Sequence, residues 1–144
     1  MVMALAALLA LPAAGCGSDE SDQFREDYNA AVDRLSKINT EIGSAAGDAT
    51  DQTNSEIARE FNQIADTAEQ TRSDLSGLEP PEDAKDEFDE LLSALRAGVE
   101  DLRSVAKAAR SNNPAEANEA VRKLTQTGQE ITEAENALKQ AVDG

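Results

Sequence analysis

The chain has 144 residues, 29 of them acidic and 13 basic, a formal net charge of −16, and no histidine or tryptophan. That acidic excess excludes nucleic-acid binding, which needs lysine and arginine to replace phosphate counterions, and polybasic attraction to anionic lipid heads. Without histidine and with one cysteine, zinc-type sites, haem attachment, Glu-x-x-His di-iron centres and Ser-His-Asp hydrolysis are all excluded.

Residues 1–11 are uncharged and apolar, and Pro12 with Ala13-Ala14-Gly15-Cys16-Gly17 ends that run. Eleven residues are too few for a membrane-spanning helix, which needs about 20, but they match the apolar core of a secretory signal. Small residues precede the thiol, and an acidic polar stretch begins at Asp19. This run resembles a bacterial lipoprotein signal with its lipobox. Position 13 departs from the pattern, holding alanine where leucine is usual. The basic segment with which a signal opens is missing, so the true start is expected upstream of Met1.

The resemblance implies cleavage between Gly15 and Cys16, removal of residues 1–15, and diacylation of Cys16 on sulfur. Two or three acyl chains anchor stably because each buried CH2 contributes about 0.8 kcal/mol. Residues 16–21 then form the lipidated cysteine and a short tether.

Residues 22–144 are long enough for one domain, and hydrophobic periodicity predicts four helices, at about 22–46, 53–76, 81–110 and 114–142. The first stripe is Phe24, Tyr28, Ala31, Leu35, Ile38 and Ile42. The second is Ile57, Phe61, Ile64, Ala68, Thr71, Leu75 and Leu78. The third is Phe88, Leu92, Leu95, Val99, Leu102, Ala106 and Ala109. The fourth is Ala117, Val121, Leu124, Gly128, Ile131, Glu135, Leu138 and Val142. Alternating steps of three and four place each set on one helical face. The boundaries agree. Thr53 and Glu56 have capping-box spacing. Gly77 suits a left-handed end for the second helix, and Pro81 the first turn of the third. Asn113-Pro114 with Glu116 opens the fourth. Short connections make neighbours antiparallel, so the expected fold is all-α, an up-down-up-down antiparallel four-helix bundle after a cleaved signal. Asp33/Lys37, Glu119/Lys123 and Glu135/Lys139 are spaced for helical ion pairs.

Chemistry is sparse. Six acids within Glu82–Glu90 complement a helix N-terminus; as a calcium site they lack a turned loop that would make oxygens converge. Glu135 is either an interior acid with a raised pKa or, if the face drifts so that Ala134 turns inward, an outside partner of Lys139. Gly128 and Thr71 mark a close helix approach or a small cavity. No catalytic residue, metal or cofactor is expected.

Leu78-Glu79-Pro80-Pro81 opening an acidic helix, followed by an Asn-Pro step into an alanine-rich last helix, looks like small helical lipoproteins of high-GC bacteria such as Actinobacteria. The resemblance implies an extracytoplasmic, lipid-anchored protein, on the outer membrane if the cell has two, and carries over no site residue beyond Cys16. The expected function is a non-enzymatic binding or interaction module of the cell envelope. An envelope protein partner would meet the alanine-rich far end at Ala45, Ala46, Ala109 and Ala117, which needs an exposed apolar patch. The alternatives are a carrier of a small apolar ligand between the helices, requiring an apolar cavity of a few hundred Å3, and an oligomeric envelope spacer.

Overall fold

A computed structural model of the chain describes residues 18–143. Four α-helices account for nearly all of it: α1 (Ser18–Asp48), α2 (Asn54–Leu75), α3 (Lys85–Ser111) and α4 (Pro114–Asp143), with a single 3-10 turn at Glu82–Ala84 before α3. There is no strand among the described residues, and no helix there is long and apolar enough to cross a membrane. The four helices pack as a bundle: α3 lies against both α2 and α4, and α1 packs on α2 less extensively.

The capping chemistry is where the sequence placed it. The Thr53 hydroxyl accepts from the Glu56 amide, and the Glu56 carboxylate accepts from the Thr53 amide at 2.8 Å. Together they satisfy two of the amides that open α2. Asn113 Oδ1 accepts from the amides of Ala115 and Glu116 at 3.1 and 3.4 Å and so starts α4.

Three boundaries differ from expectation. Helix α1 begins at Ser18 rather than near 22, so residues 18–21 belong to the helix and not to a tether. Pro81 precedes the 3-10 turn in an extended conformation instead of lying in the first turn of α3. A proline ring disfavours helical geometry in the residue before it and supplies no amide, so a tight turn bridges to α3. Gly77 is not left-handed. Helix α2 closes through successive short turns, Gly77 to the Asp74 carbonyl and Leu78 to that of Leu75. The left-handed residue is Asn112, φ 50°, which ends α3 and turns the chain directly into the Asn113 cap. Asparagine tolerates this conformation better than most side chains.

Side-chain contacts tie the helices together near their ends and, at Arg34, from the middle of α1. Arg25 reaches the Val142 carbonyl, Arg34 pairs with Asp74, and Asn54 donates to Asn112. At the end where α1 begins, Phe24 packs edge-on against Phe88 at 5.5 Å and stacks on Tyr28 at 5.7 Å. Leu75, Leu91 and Leu138 are completely buried. Each such side chain contributes about 1.5–3 kcal/mol by burial.

The stripes of α1, α2 and α3 are buried or half-buried as expected. That of α4 is not. Of its predicted residues only Leu138 is fully buried, Val121 is 50% exposed and Gly128 is exposed. The residues α4 buries are Ala120, Thr127, Ala134 and Leu138. Small side chains turn toward α3, where Gly98 leaves room. A Cβ on Gly98 would lie 3.2 Å from Ile131 Cδ1. Thr127 donates to Asp101 across the same seam at 2.7 Å. Ile131 packs over Gly98 of α3, and Val121, Leu124 and Ile131 line the space that α1 also borders.

Candidate cleft between α1 and α4

Helices α1 and α4 do not make the close backbone contact that joins the other neighbours. An apolar cavity of about 220 Å3 lies inside the bundle at this gap, lined from all four helices, with Phe61 and Ala68 of α2 and Leu95 and Leu102 of α3 forming its floor. Its walls include Leu35, Ile38 and Ile42 from α1, Val99 from α3, and Leu124 and Ile131 from α4. Gly128 helps to form it: a Cβ there would meet nothing within 4 Å. The space exceeds the roughly 150 Å3 at which an engineered apolar cavity takes up benzene. It is smaller than the roughly 300 Å3 where pockets for drug-sized molecules begin. A slender apolar group fits that range.

A second space of about 440 Å3, of mixed polar and apolar lining, lies along the same pair of helices, bordered by Arg25, Tyr28, Val32, Asn136, Lys139 and Val142 among others. Glu135 borders both spaces. Burial raises its pKa above the ordinary carboxylate value. Tyr28 is pushed up to about 12, chiefly by burial and then by the negative charge of Glu135. Both shifts describe a half-buried region in which charge is poorly solvated. Among the described residues Glu135 accepts no side-chain hydrogen bond and forms no ion pair, with Lys139 or any other. Ala134 faces inward while Glu135 stays at the edge of the cavity, so the face drifts as one sequence reading required, without the expected salt bridge. The other proposed pairs also differ, Glu119 bonding Arg122 at 2.6 Å rather than Lys123.

Gly15 and Cys16 lie outside the described residues. Of the proposed partner surface, Ala45 is 1% exposed and belongs to the core, which corrects its assignment to a surface. An alanine on the inner face of a narrow helix contact has no route to solvent. Ala109 and Ala117 are half-buried against the core. Ala46 is exposed and lines the cavity. Thr71 is buried and donates to the Thr67 carbonyl at 3.0 Å, so it satisfies itself within α2 and opens no gap. The acids of Glu82–Glu90 are solvated apart from half-buried Glu87. Among the described residues no three potential ligands converge on a metal position.

The sequence marks Gly128 and Glu135 as unusual and Tyr28 as a core residue of the first stripe, and it gives no sign of Asn29 or Asn136. Their shared feature is position at the α1–α4 seam, which no spacing within one helix reveals. No protein-family model, curated protein or solved structure matches the chain.

Proposed function

We propose that the protein is a non-enzymatic binding module of the cell envelope, tethered to the membrane through lipid on Cys16, that carries a small apolar ligand between α1 and α4. The observation that supports the ligand is the 220 Å3 apolar cavity at a seam where two helices stand apart. Packed interiors contain few voids larger than a water molecule, so an apolar space of this size supports the carrier reading.

The surface supports a small ligand over a docked protein. Among the described residues the one large apolar side chain that is exposed is Val121, and it lines the cavity. A protein partner or an oligomeric spacer would need a broader apolar patch. The tether rests on the signal-like run ending at Gly15-Cys16.

Intact mass of the protein from a lipoprotein-competent bacterium, beside a Cys16→Ala form, tests the tether. The expected wild-type chain begins at Cys16 with added acyl mass, and the variant does not; a chain retaining residues 1–15 with a free thiol sinks the tether. Native mass spectrometry of the same preparation tests the carrier. A co-purifying apolar species that Gly128→Leu displaces is the expected result, and uptake unaffected by that substitution counts against it.

A further inference from the structure

The walls of the cleft are not equally held, and the difference bears on how a ligand reaches it, given the carrier reading on which this rests. Among the described residues four glycines stand inside helices: Gly43 and Gly47 in α1, Gly98 in α3 and Gly128 in α4. Packing requires Gly98, since a Cβ there would press on Ile131. At Gly43, Gly47 and Gly128 a Cβ would meet nothing within 4 Å, and none of these glycines has a positive φ. Neither close approach nor backbone conformation asks for glycine at those three positions, and each weakens its helix relative to alanine. All three lie in the two helices that stand apart at the cleft.

Gly43 and Gly47 fall in the part of α1 that is least fixed. Up to Arg34 the helix is clamped, with Phe24 on Phe88, Arg25 on the Val142 carbonyl and Asp143, and Arg34 on Asp74. Beyond Arg34, among the described residues, the one side-chain hydrogen bond of α1 runs within the helix, from Thr40 to the Ser36 carbonyl. Of residues 39–48 only Ala45 is fully buried, and Ile42 is half-buried. Little apolar burial and no cross-links mark a segment that opens locally before the rest. The same segment carries Ile42 and Ala46, which line the cavity together with Val121 and Leu124 of α4.

We propose that residues 39–48 of α1 are the gate of the cleft. They bend at Gly43 and Gly47, away from α4, and an apolar chain passes between Ala46 and Val121 while the clamped part of α1 stays in place. Gly43 is followed by Ser44, and Gly/Ser pairs are among the places where helices kink. Opening of this kind takes microseconds or longer. The gate makes no demand on a polar end of the ligand and serves any slender apolar chain.

The test uses the full chain carrying Cys16→Ser, so that no attached acyl chain competes, with and without Gly43→Ala/Gly47→Ala. Amide hydrogen exchange is the first readout. Amides of residues 39–48 should exchange at least tenfold faster than those of residues 25–34. The double variant should slow the first set by about tenfold, as the helix propensity of two alanines over two glycines implies, and leave the second set unchanged. The second readout is the release rate of decanol from NMR line shapes. Release should slow by a similar factor while the dissociation constant changes less than threefold, because neither glycine lines the cavity. Equal exchange along the whole of α1 in the parent would overturn the gate. So would decanol release that the substitutions leave unchanged, and bound decanol would then keep the carrier reading standing. No binding of decanol to either form would overturn the carrier reading and the gate together.

Discussion

Helix α4 forms two seams in opposite ways. Toward α3 it presents Ala120, Thr127 and Ala134, and the helices approach until Ile131 touches the space above Gly98. Toward α1 it presents Val121, Leu124 and Glu135, and the helices stand apart around a cavity. Small side chains bring backbones together and close a seam by contact. Larger ones on helices held apart by their other neighbours wall a space without filling it. Dispersion contacts are lost wherever a wall faces a gap, so the α1–α4 seam should carry less of the stability, and it is where the proposed ligand would enter.

The sharpest way to break this contrast is truncation on either side of it. Leu91→Ala and Leu138→Ala remove side chains that are completely buried. Each should cost about 2–5 kcal/mol in urea unfolding. Leu124→Ala removes a half-buried side chain that already borders empty space, and should cost about 1 kcal/mol or less, since little close packing is lost. Equal losses at the three sites would mean that the cleft is packed shut.

Smaller effects sharpen the picture. Gly128→Ala adds a methyl that meets nothing, within a helix where glycine is unfavourable by about 0.8–1.0 kcal/mol. It should raise the melting temperature by that amount of stability. Gly98→Ala makes the same propensity change but brings Cβ to 3.2 Å from Ile131 Cδ1. Ile131 borders the cavity and has somewhere to move, so the gain should be smaller yet not reversed, and ligand capacity should fall. A clear destabilisation by Gly98→Ala would show that Ile131 is locked and the cavity rigid.

The Glu135 carboxyl gives a pH signature. Its folded pKa lies above the unfolded one, so the folded state holds more protons. Its contribution is therefore fully present below the ordinary carboxylate pKa and is lost as pH rises through the raised folded value. Exposed acids with lowered pKa values, such as Glu56 and Asp74, act in the opposite direction, so the comparison is between wild type and Glu135→Gln. The variant should gain stability relative to wild type across that rise, measured by urea unfolding at successive pH values. A difference that does not change with pH would mean Glu135 is fully solvated.

Much of this architecture was legible in the chain. Three stripes, the Thr53–Glu56 box and the Asn113 cap follow from local chemistry and appear as read. The orientation of α4 was not legible, because the helix carries two candidate faces, one richer in large apolar residues and one in alanine. Hydrophobicity favours the first for burial, whereas packing on α3 buries Ala120, Thr127 and Ala134 of the second and leaves Val121 and Gly128 of the first exposed. That choice depends on a contact between helices and leaves no trace in α4's own periodicity. For the same reason Glu135 was visible as an anomaly on its stripe, while the second space it borders, lined by Tyr28 and Asn29 from the far end of the sequence, was not. Gly77 and Asn112 show a smaller ambiguity: both residue types suit a left-handed helix end, and only the asparagine, pressed against the next cap, adopts it.

The central claim is that the α1–α4 seam, and not the rest of the core, receives an apolar chain. The most direct measurement is methyl NMR of the full chain carrying Cys16→Ser with unlabelled decanol, reading intermolecular contacts to labelled Ile, Leu and Val methyls. Contacts to Ile38, Leu124 and Ile131 are expected, and none to Leu75, Leu91 or Leu138. Contacts spread evenly over both groups, or absent from the first, would contradict it.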